Sequence, residues 1–379
     1  MNKNHFNKIK IIILACILAL VPFFTACACL ESNLYVILPS TEEELFNRYA
    51  PSVVTIEAAG QKGTGFLYYI GANSIYFVTN HHVLEDYLDN NSVPIILRFF
   101  SDPYNILYGL PVSVVGYEEY FDIAVLRVSG INHTSIGYRP LINNISNHTA
   151  HATPLLALGN LDGAGVSAFG GLMSNPNRIL DFGVGYDLQF RFRPLQQISV
   201  NLNAGTSGGP VLDMHGRLVG ISGFQQPFDN QGIPLIGVSF SIAAPVASTL
   251  IRRAILLDTG TNIPKLAIHM ENINTLFLSS FGGVRLRINA FGEVVVIDGG
   301  TRVSATTGEW LNEGDIITNI GGIDLVNANY TTLFTALAGY AHQSSFINAN
   351  INLNTLSQLN ITFIRDNVAH TLSFMHFFR

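Results

Sequence analysis

The stretch Asn203-Ala204-Gly205-Thr206-Ser207-Gly208-Gly209-Pro210, just before the apolar pair Val211-Leu212, decides how the rest of this chain is interpreted. Small residues let a backbone turn sharply and point its N–H groups inward, which is what an oxyanion hole requires. Ser207 is therefore the candidate nucleophile. The N–H groups of Gly205 and Ser207, with Thr206 between them, are the candidate oxyanion-hole donors. A plain glycine-rich turn between strands is the alternative interpretation.

The composition favours a folded protein built of strands and turns. Hydrophobic residues make up 48% of the sequence and charged residues 12%, so composition predicts no disorder. Abundant glycine, asparagine and β-branched residues favour β-structure over long helices. A length of 379 residues suggests two or three domains. The net charge of −6, without a basic run, disfavours nucleic acid as a partner.

The cysteines and the N-terminus indicate export. Cys16, Cys27 and Cys29 all lie in the first 29 residues, which excludes a disulfide scaffold, a cysteine nucleophile or a cysteine metal site in the folded body. Residues 1–10 carry three lysines and no acid, and the apolar run 11–24 has the length of a signal peptide.

The end of this apolar run predicts a lipid anchor. Phe24-Thr25-Ala26-Cys27 resembles the lipobox of bacterial lipoproteins, which makes residues 1–26 a lipoprotein signal peptide and Cys27 the lipidation site. Cys29 is a second choice for the lipidated residue. An ordinary cleaved signal peptide or an uncleaved anchor are the alternatives.

Residues 27–44 are expected to be a tether that ends in a helix start. Ser40 with Glu43 fits a capping box, which predicts a short helix running to Tyr49. Ala50-Pro51 follows and should stop that helix.

A histidine pair ends the second strand of a predicted hairpin. The strands cover residues 63–69 and 74–80, and His81-His82 follow. Adjacent residues of extended chain point to opposite sides, so at most one imidazole faces a cleft. A surface pair or a buried structural imidazole is the alternative.

Asp122 heads the apolar strand that runs to Val128. A carboxylate there is poorly solvated and is tolerated if a group such as an imidazole N–H bonds to it. The alternative is a turn aspartate that caps the loop before the strand.

The order His, Asp, Ser, each on a β-type segment, carries a family resemblance. Thr79-Asn80-His81-His82-Val83, the Asp122 strand and the Ser207 turn together resemble the chymotrypsin-fold serine proteases, and most closely the bacterial HtrA/Deg family. The resemblance covers residues 40–258 well and the C-terminus loosely. It implies a mainly β fold: a trypsin-like protease domain over residues 45–258, built as a chymotrypsin-like double six-stranded β-barrel.

The resemblance also assigns roles to residues. It selects His82 over His81, because His82 takes the position before Val83. His82, Asp122 and Ser207 would then form a catalytic triad that needs no metal or other cofactor. The pair His148 and His151 lacks a nearby acidic or cysteine partner and is interpreted as a solvated loop rather than a metal site.

Residues near the second barrel are expected to bind substrate. By resemblance, Gly237, Val238, Ser239 and Phe240 form the strand to which substrate adds, and they line the primary pocket with Leu202. None is acidic, which predicts small or medium aliphatic residues, rather than Lys or Arg, before the cut. Ordinary core strands are the alternative. Residues 174–186 are interpreted as a loop and as a candidate for activation.

The C-terminal part predicts a second domain. Residues 245–257 have helical spacing and should form a linker helix. Residues 262–379 resemble a PDZ-like α+β domain, mainly through the segment 313–322. Its peptide groove is placed at Leu266, Ala267 and Ile268. A β-module without a peptide groove is the alternative.

Together these features predict an exported, lipid-anchored serine endopeptidase of the bacterial cell envelope, in the periplasm or at the cell surface. The expected substrates are unfolded or misfolded envelope proteins. C-terminal peptides are expected to bind at the PDZ-like domain, and the family implies a homotrimer. The alternatives are a regulatory protease with one dedicated partner and a non-catalytic peptide-binding or chaperone protein on the same fold.

Overall fold

The structure is a computed structural model, and it describes most of the chain after residue 39. The described residues are 40–71, 73–90, 93–99, 107, 109–131, 138, 140–141, 144–146, 149–161, 165–183, 191–225, 237–258, 268–272, 274–278, 283–300, 310–338 and 359–374. All of them belong to a single structural unit. No helix in these ranges is long and apolar enough to cross a membrane. Cys27, Leu266 and Ala267 lie outside the described residues.

Helix α1 (Glu42–Tyr49) begins one residue later than the sequence suggests. The capping box consists of Thr41 and Glu44: the Glu44 N–H donates to Thr41 Oγ1 at 3.1 Å, and the Thr41 N–H donates to Glu44 Oε2 at 2.8 Å. The predicted pair Ser40 and Glu43 is therefore wrong, because the Ser40 N–H instead donates to Met214 O at 2.6 Å.

The first barrel consists of six antiparallel strands in the order β4-β1-β2-β3-β6-β5. Its buried core side chains include Ile56, Leu67 and Phe77. A short helix, α2 (Glu85–Asp89), follows β3. The strands are β1 (Val53–Ala58), β2 (Gln61–Ile70), β3 (Ser74–Thr79), β4 (Ile96–Phe99), β5 (Val112–Glu118) and β6 (Ile123–Ser129).

The second barrel also has six strands, in the order β12-β11-β10-β7-β8-β9. Strand β12 pairs with both β11 and β9, which closes the ring. The predicted chymotrypsin-like architecture of two six-stranded units is confirmed. The strands are β7 (Pro154–Asn160), β8 (Val166–Asp181), β9 (Phe192–Ile198), β10 (Pro210–Asp213), β11 (Leu218–Gln225) and β12 (Ser239–Ala243).

Strand β8 is longer than expected. Residues 174–181, predicted as loop, continue the strand and pair with β9 up to Asp181 opposite Phe192. Register shifts after Met173 and after Asn175 accommodate the Asn- and Pro-containing stretch, as β-bulges do. An ion pair closes this extension, since Arg191 Nε lies 2.7 Å from Asp181 Oδ1.

Helix α3 (Ala244–Leu257) is the predicted linker helix. A proline in its first turn suits a helix start. Asp258, just after its end, accepts from Arg127 NH1 at 2.6 Å and from Tyr76 Oη at 3.0 Å. The first barrel thus holds the end of the helix in place.

The C-terminal module is a sheet with one helix packed on it, in agreement with the predicted α+β type. Its main strand order is β13-β14-β15-β16-β17-β19-β20, with β18 beside β17. Met270 of β13 pairs with Phe192 of β9, which joins the module to the second barrel. The elements are β13 (Ile268–Asn272), β14 (Thr275–Leu278), β15 (Val284–Ile288), β16 (Val294–Asp298), β17 (Ile316–Ile320), β18 (Ile323–Asp324), α4 (Tyr330–Ala338), β19 (Leu359–Arg365) and β20 (Val368–Phe374).

Candidate active site

Strand pairing brings His82 and Asp122 together. Thr79 at the end of β3 lies opposite Ala124 near the start of β6, so the residues just beyond these two strand ends are neighbours. His82 Nδ1 lies 2.7 Å from Asp122 Oδ2, and the His82 backbone N–H donates to Asp122 Oδ1 at 2.9 Å. The carboxylate therefore holds both the ring and the backbone of the histidine.

Asp122 is buried and held in an unusual backbone conformation. Its φ of +53° lies in the left-handed region, which non-glycine residues adopt only when their surroundings enforce it. Asn80 Nδ2 donates to the Asp122 carbonyl at 2.9 Å, and the Asp122 N–H donates to Glu119 O at 3.2 Å. These bonds aim the carboxylate at the imidazole.

His81 does not contact Asp122 through its ring. The ring stacks on Tyr117, with 4.8 Å between centroids, and burial lowers the pKa of His81. The two histidines therefore point in different directions, and His82 is the one on the carboxylate.

The surroundings of His82 tune its basicity. Burial lowers the pKa of His82, but the hydrogen bond to Asp122, the charge of Asp122 and the charge of Glu85 outweigh burial, so the pKa is raised overall. Arg193 opposes this shift by a smaller amount. A raised pKa makes the neutral imidazole a stronger proton acceptor.

A cleft of about 550 Å³ opens beside the imidazole. Glu85, Asp89 and Glu119 line it together with the cation Arg193. The Arg193 guanidinium lies 5.5 Å from the ring centroid of Phe224 and 5.1 Å from that of Phe182. This wall of the cleft is acidic, and the facing wall is aromatic.

The turn that carries Ser207 is fixed between the two barrels. The Thr64 N–H of β2 donates to Ser207 O at 2.9 Å, and the Gly208 N–H donates to Ser222 O at 2.9 Å. Gly208 has a φ of +86°, and a Cβ there would collide with Thr64 O and Thr79 Oγ1. Only glycine fits this position, because the backbone of the first barrel approaches so closely.

The predicted oxyanion-hole residues divide into two kinds. Within the described part of the chain, the N–H groups of Gly205 and Ser207 have no acceptor. The Thr206 N–H, by contrast, donates to Asn203 O at 3.1 Å, and the Thr206 hydroxyl donates to the same oxygen at 2.6 Å. Thr206 therefore stabilises the turn, while its two neighbours leave donors free.

Thr64 is a residue that sequence reasoning did not single out. Its buried hydroxyl donates to Gly205 O at 2.6 Å and accepts from the Asn160 N–H at 2.7 Å. It thereby links the nucleophile turn to both barrels. The segment Gly63-Thr64-Gly65 is visible in the sequence, but nothing local indicates these distant partners.

The Ser207 hydroxyl is turned away from the imidazole. It donates to Gly223 O at 3.4 Å, and no hydrogen bond to His82 is present among the described residues. Catalytic hydrogen bonds are often long or absent without substrate, so this geometry does not argue against a nucleophile. Attack requires the hydroxyl to rotate towards His82.

The predicted substrate-binding residues cluster at the start of β12. Ser239 already pairs with Ile198 on one side and Gln225 on the other, so its strand has no free edge from there on. Gly237 and Val238 precede it and are partly exposed. The rest of the predicted pocket is buried: Leu202 and Phe240.

The other predicted sites have no described side chains. Ile268 begins β13, but its side chain is not described, and His148 and Cys27 lie outside the described ranges. Among the residues that are described, no cluster of three or more His, Cys, Asp or Glu could hold a metal ion.

Comparisons with known proteins place this geometry in a class. Residues 63–221 match the trypsin-like peptidase domain family. The chain is 25% identical over 313 residues to the serine protease Do-like HtrA of Lactococcus lactis subsp. lactis, which covers 82% of this chain and 69% of the relative. It is 26% identical over 304 residues to a serine protease HtrA-like protein of Staphylococcus aureus, which covers 73% of this chain and 36% of the relative.

A solved structure agrees with the fold. The HtrA-type protease AlgW with tripeptide superposes with a TM-score of 0.52 at 19% identity, over 89% of this chain and 97% of that one. The fold and the matched domain define a trypsin-like serine endopeptidase. Within that class the chain is of the HtrA/Deg type, and the resemblance drawn from the sequence is confirmed.

Proposed function

We propose that this chain is an exported endopeptidase that cleaves unfolded or misfolded polypeptides of the bacterial cell envelope with His82, Asp122 and Ser207 as its catalytic triad. The observation that carries the proposal is the 2.7 Å contact of His82 Nδ1 with a buried carboxylate, next to a serine turn with two free N–H groups. No other arrangement of the described residues supplies a base, its orienting acid and a serine together.

In the first step, the Ser207 hydroxyl attacks the peptide carbonyl and His82 Nε2 accepts its proton. The carbonyl oxygen becomes negatively charged and accepts hydrogen bonds from the Gly205 and Ser207 N–H groups. The imidazolium then returns the proton to the leaving amine, and an acyl-enzyme remains on Ser207. Water attacks this ester by the same route to restore the serine.

Asp122 acts through His82 rather than on the substrate. Its hydrogen bond keeps the proton of the neutral imidazole on Nδ1, so that Nε2 is free to accept. Its negative charge stabilises the imidazolium that forms during attack. The bond from the His82 backbone N–H occupies the second oxygen of the carboxylate and leaves a single orientation.

Substrate binding by strand addition fits the start of β12. Gly237 and Val238 precede the doubly paired part of the strand and have backbone available for an extended peptide. Leu202 beside them offers an apolar, uncharged lining, which supports small or medium aliphatic residues before the cut. A cleavage profile dominated by Lys or Arg would contradict this part.

The location rests on the N-terminal sequence and on the bacterial origin of the relatives. Export would follow from the signal peptide, and attachment from acylation of Cys27. Growth with an alkynyl fatty acid should label the full chain but not Cys27→Ser. Equal labelling of both would move the lipid elsewhere, and no labelling would leave a plainly cleaved signal peptide.

Casein hydrolysis by the full chain tests the reaction. Ser207→Ala should abolish cleavage, and the exposed Ser174→Ala should leave it unchanged. A fluorophosphonate probe should label the parent chain and lose its target only in Ser207→Ala. Equal residual cleavage in Ser207→Ala would reject Ser207 as the nucleophile, and a chain that neither cleaves nor becomes labelled would favour a non-catalytic binder.

A further inference from the structure

The turn between β5 and β6, which ends in Asp122, is contacted from outside its own barrel. The Phe334 ring of α4 meets Phe121 edge to face, with 5.1 Å between centroids, and lies 6.1 Å from Tyr120. Tyr120 and Phe121 are themselves 4.8 Å apart, edge to face. The C-terminal module thus places a fully buried aromatic ring on the two residues that precede the carboxylate.

The hydroxyl of Tyr120 makes a second attachment. It donates to Phe192 O of β9 at 2.7 Å and accepts from the Met270 N–H of β13 at 3.2 Å. These two residues also form the strand pair that joins the module to the second barrel. Burial raises the pKa of Tyr120, so the hydroxyl keeps the proton that it donates.

This contact reaches the active site within one peptide bond. Asp122 follows Phe121 directly and sits in the left-handed region at φ +53°. A non-glycine residue stays there only where neighbouring structure enforces it. The turn itself supplies the bond from the Asp122 N–H to Glu119 O. The module supplies the ring contacts and, through Met270, part of the Tyr120 attachment.

We propose that Phe334 and Tyr120 are positioning residues for the hydrolytic reaction: with the module in place, they hold Asp122 in the orientation that it needs against His82. This rests on the proposed function, in which Asp122 orients the imidazole. It makes the C-terminal module a structural part of the active site rather than only a separate binding domain.

A matched control exists in the same module. Phe363 of β19 is also fully buried, and its ring stacks on His370 at 5.3 Å. Replacing Phe334 or Phe363 by leucine removes a comparable buried aromatic ring. Only Phe334→Leu removes the contact with the Asp122 turn.

Neither leucine variant alters a charge near the imidazole. The groups that face His82 are Asp122 on one side and, around the cleft, His81, Glu85, Asp89, Glu119 and Arg193. A change in the pKa of His82 in Phe334→Leu would therefore report on the position of the Asp122 carboxylate.

The test compares the full-length Phe334→Leu, Tyr120→Phe and Phe363→Leu chains on a short fluorogenic peptide. For Phe334→Leu we expect kcat to fall roughly 10-fold with KM little changed, less than the ~10²-fold that a 1 Å misplacement can cause. Its acidic limb should move to lower pH, because a looser carboxylate raises the pKa of His82 less. Tyr120→Phe keeps the ring and should show a smaller change in the same direction. Phe363→Leu, at a similar loss of melting temperature, should keep the parent kcat and acidic limb.

Titration of the His82 ring by NMR provides a readout that needs no turnover. Phe334→Leu should lower the pKa of His82 and weaken the Nδ1 proton resonance, whereas Phe363→Leu should do neither. Equal kcat, acidic limb and His82 titration in both leucine variants would overturn the inference while leaving the proposed function intact. A parent chain that neither cleaves nor reacts with fluorophosphonate would refute the proposed function, and the His82 titration would still decide the inference.

Discussion

Replacing Thr64 by valine tests how the two barrels hold the nucleophile turn. Valine has nearly the shape of threonine but no hydroxyl, so it removes both hydrogen bonds of the buried Oγ1 at once. The Asn160 N–H loses an acceptor at 2.7 Å, and the Gly205 carbonyl loses a donor at 2.6 Å. Nothing else at the site changes its chemistry.

The size of the effect follows from the burial of the two partners. Asn160 is fully buried, and its unpaired N–H should cost about 1–3 kcal/mol. Gly205 is partly exposed, so water can reach its carbonyl and the added cost should be about 1 kcal/mol. We therefore expect Thr64→Val to lower the free energy of unfolding by about 2–4 kcal/mol.

Activity should fall as well, because Gly205 also offers a free N–H for the oxyanion. Complete loss of one oxyanion donor costs about 10²–10³ in kcat. Loosening the residue that carries it should cost less, and we expect about a 10-fold decrease in kcat. Urea unfolding and peptide hydrolysis measure the two effects on the same preparation.

Thr64→Ser is the matched control. It keeps the hydroxyl and loses one methyl group, which should cost about 0.8 kcal/mol of stability and leave kcat near the parent value. If Thr64→Val and Thr64→Ser are equally stable and equally active, the hydroxyl does not hold the turn and the reasoning is refuted.

Two further predictions concern the triad and its support. Gly208→Ala should lower the melting temperature far more than Gly60→Ala, because both positions have positive φ but only Gly208 would meet neighbouring atoms; similar losses in the two variants would show that the backbone of the first barrel yields easily. Activity should fall as the pH drops through the raised pKa of His82, since the protonated ring cannot accept a proton. Asp122→Asn should lower kcat by about 10⁴ and move the pKa of His82 down, as seen in the acidic limb of the rate profile and by NMR; an unchanged acidic limb would mean that Asp122 does not set that pKa.

Local pattern was sufficient to predict the strands and the order of the site residues. Alternating apolar residues followed by His82, an aspartate at the head of a buried strand and a serine among glycines are all visible within a few residues. The choice of His82 over His81 needed the family pattern, and in the structure it is His82 that contacts Asp122. The helix start missed by one residue, because Ser40 and Thr41 offer two capping boxes in successive frames.

The remaining features depend on residues that are far apart in the chain. Strand β8 extends through its Asn- and Pro-containing stretch because β9 lies alongside and bulges absorb the irregular residues. Thr206 and Gly205 look alike as possible donors until the fold shows that the Thr206 N–H is already bonded to Asn203.

The sequence by itself therefore determined the class of protein, the two-barrel fold and the candidate triad, because those signals are local and ordered. Only the tertiary structure decided that Thr64 holds the nucleophile turn and that Phe334 packs on the Asp122 turn. Such contacts join side chains from distant segments, and their energy arises from burial and hydrogen bonding between partners that no local pattern specifies.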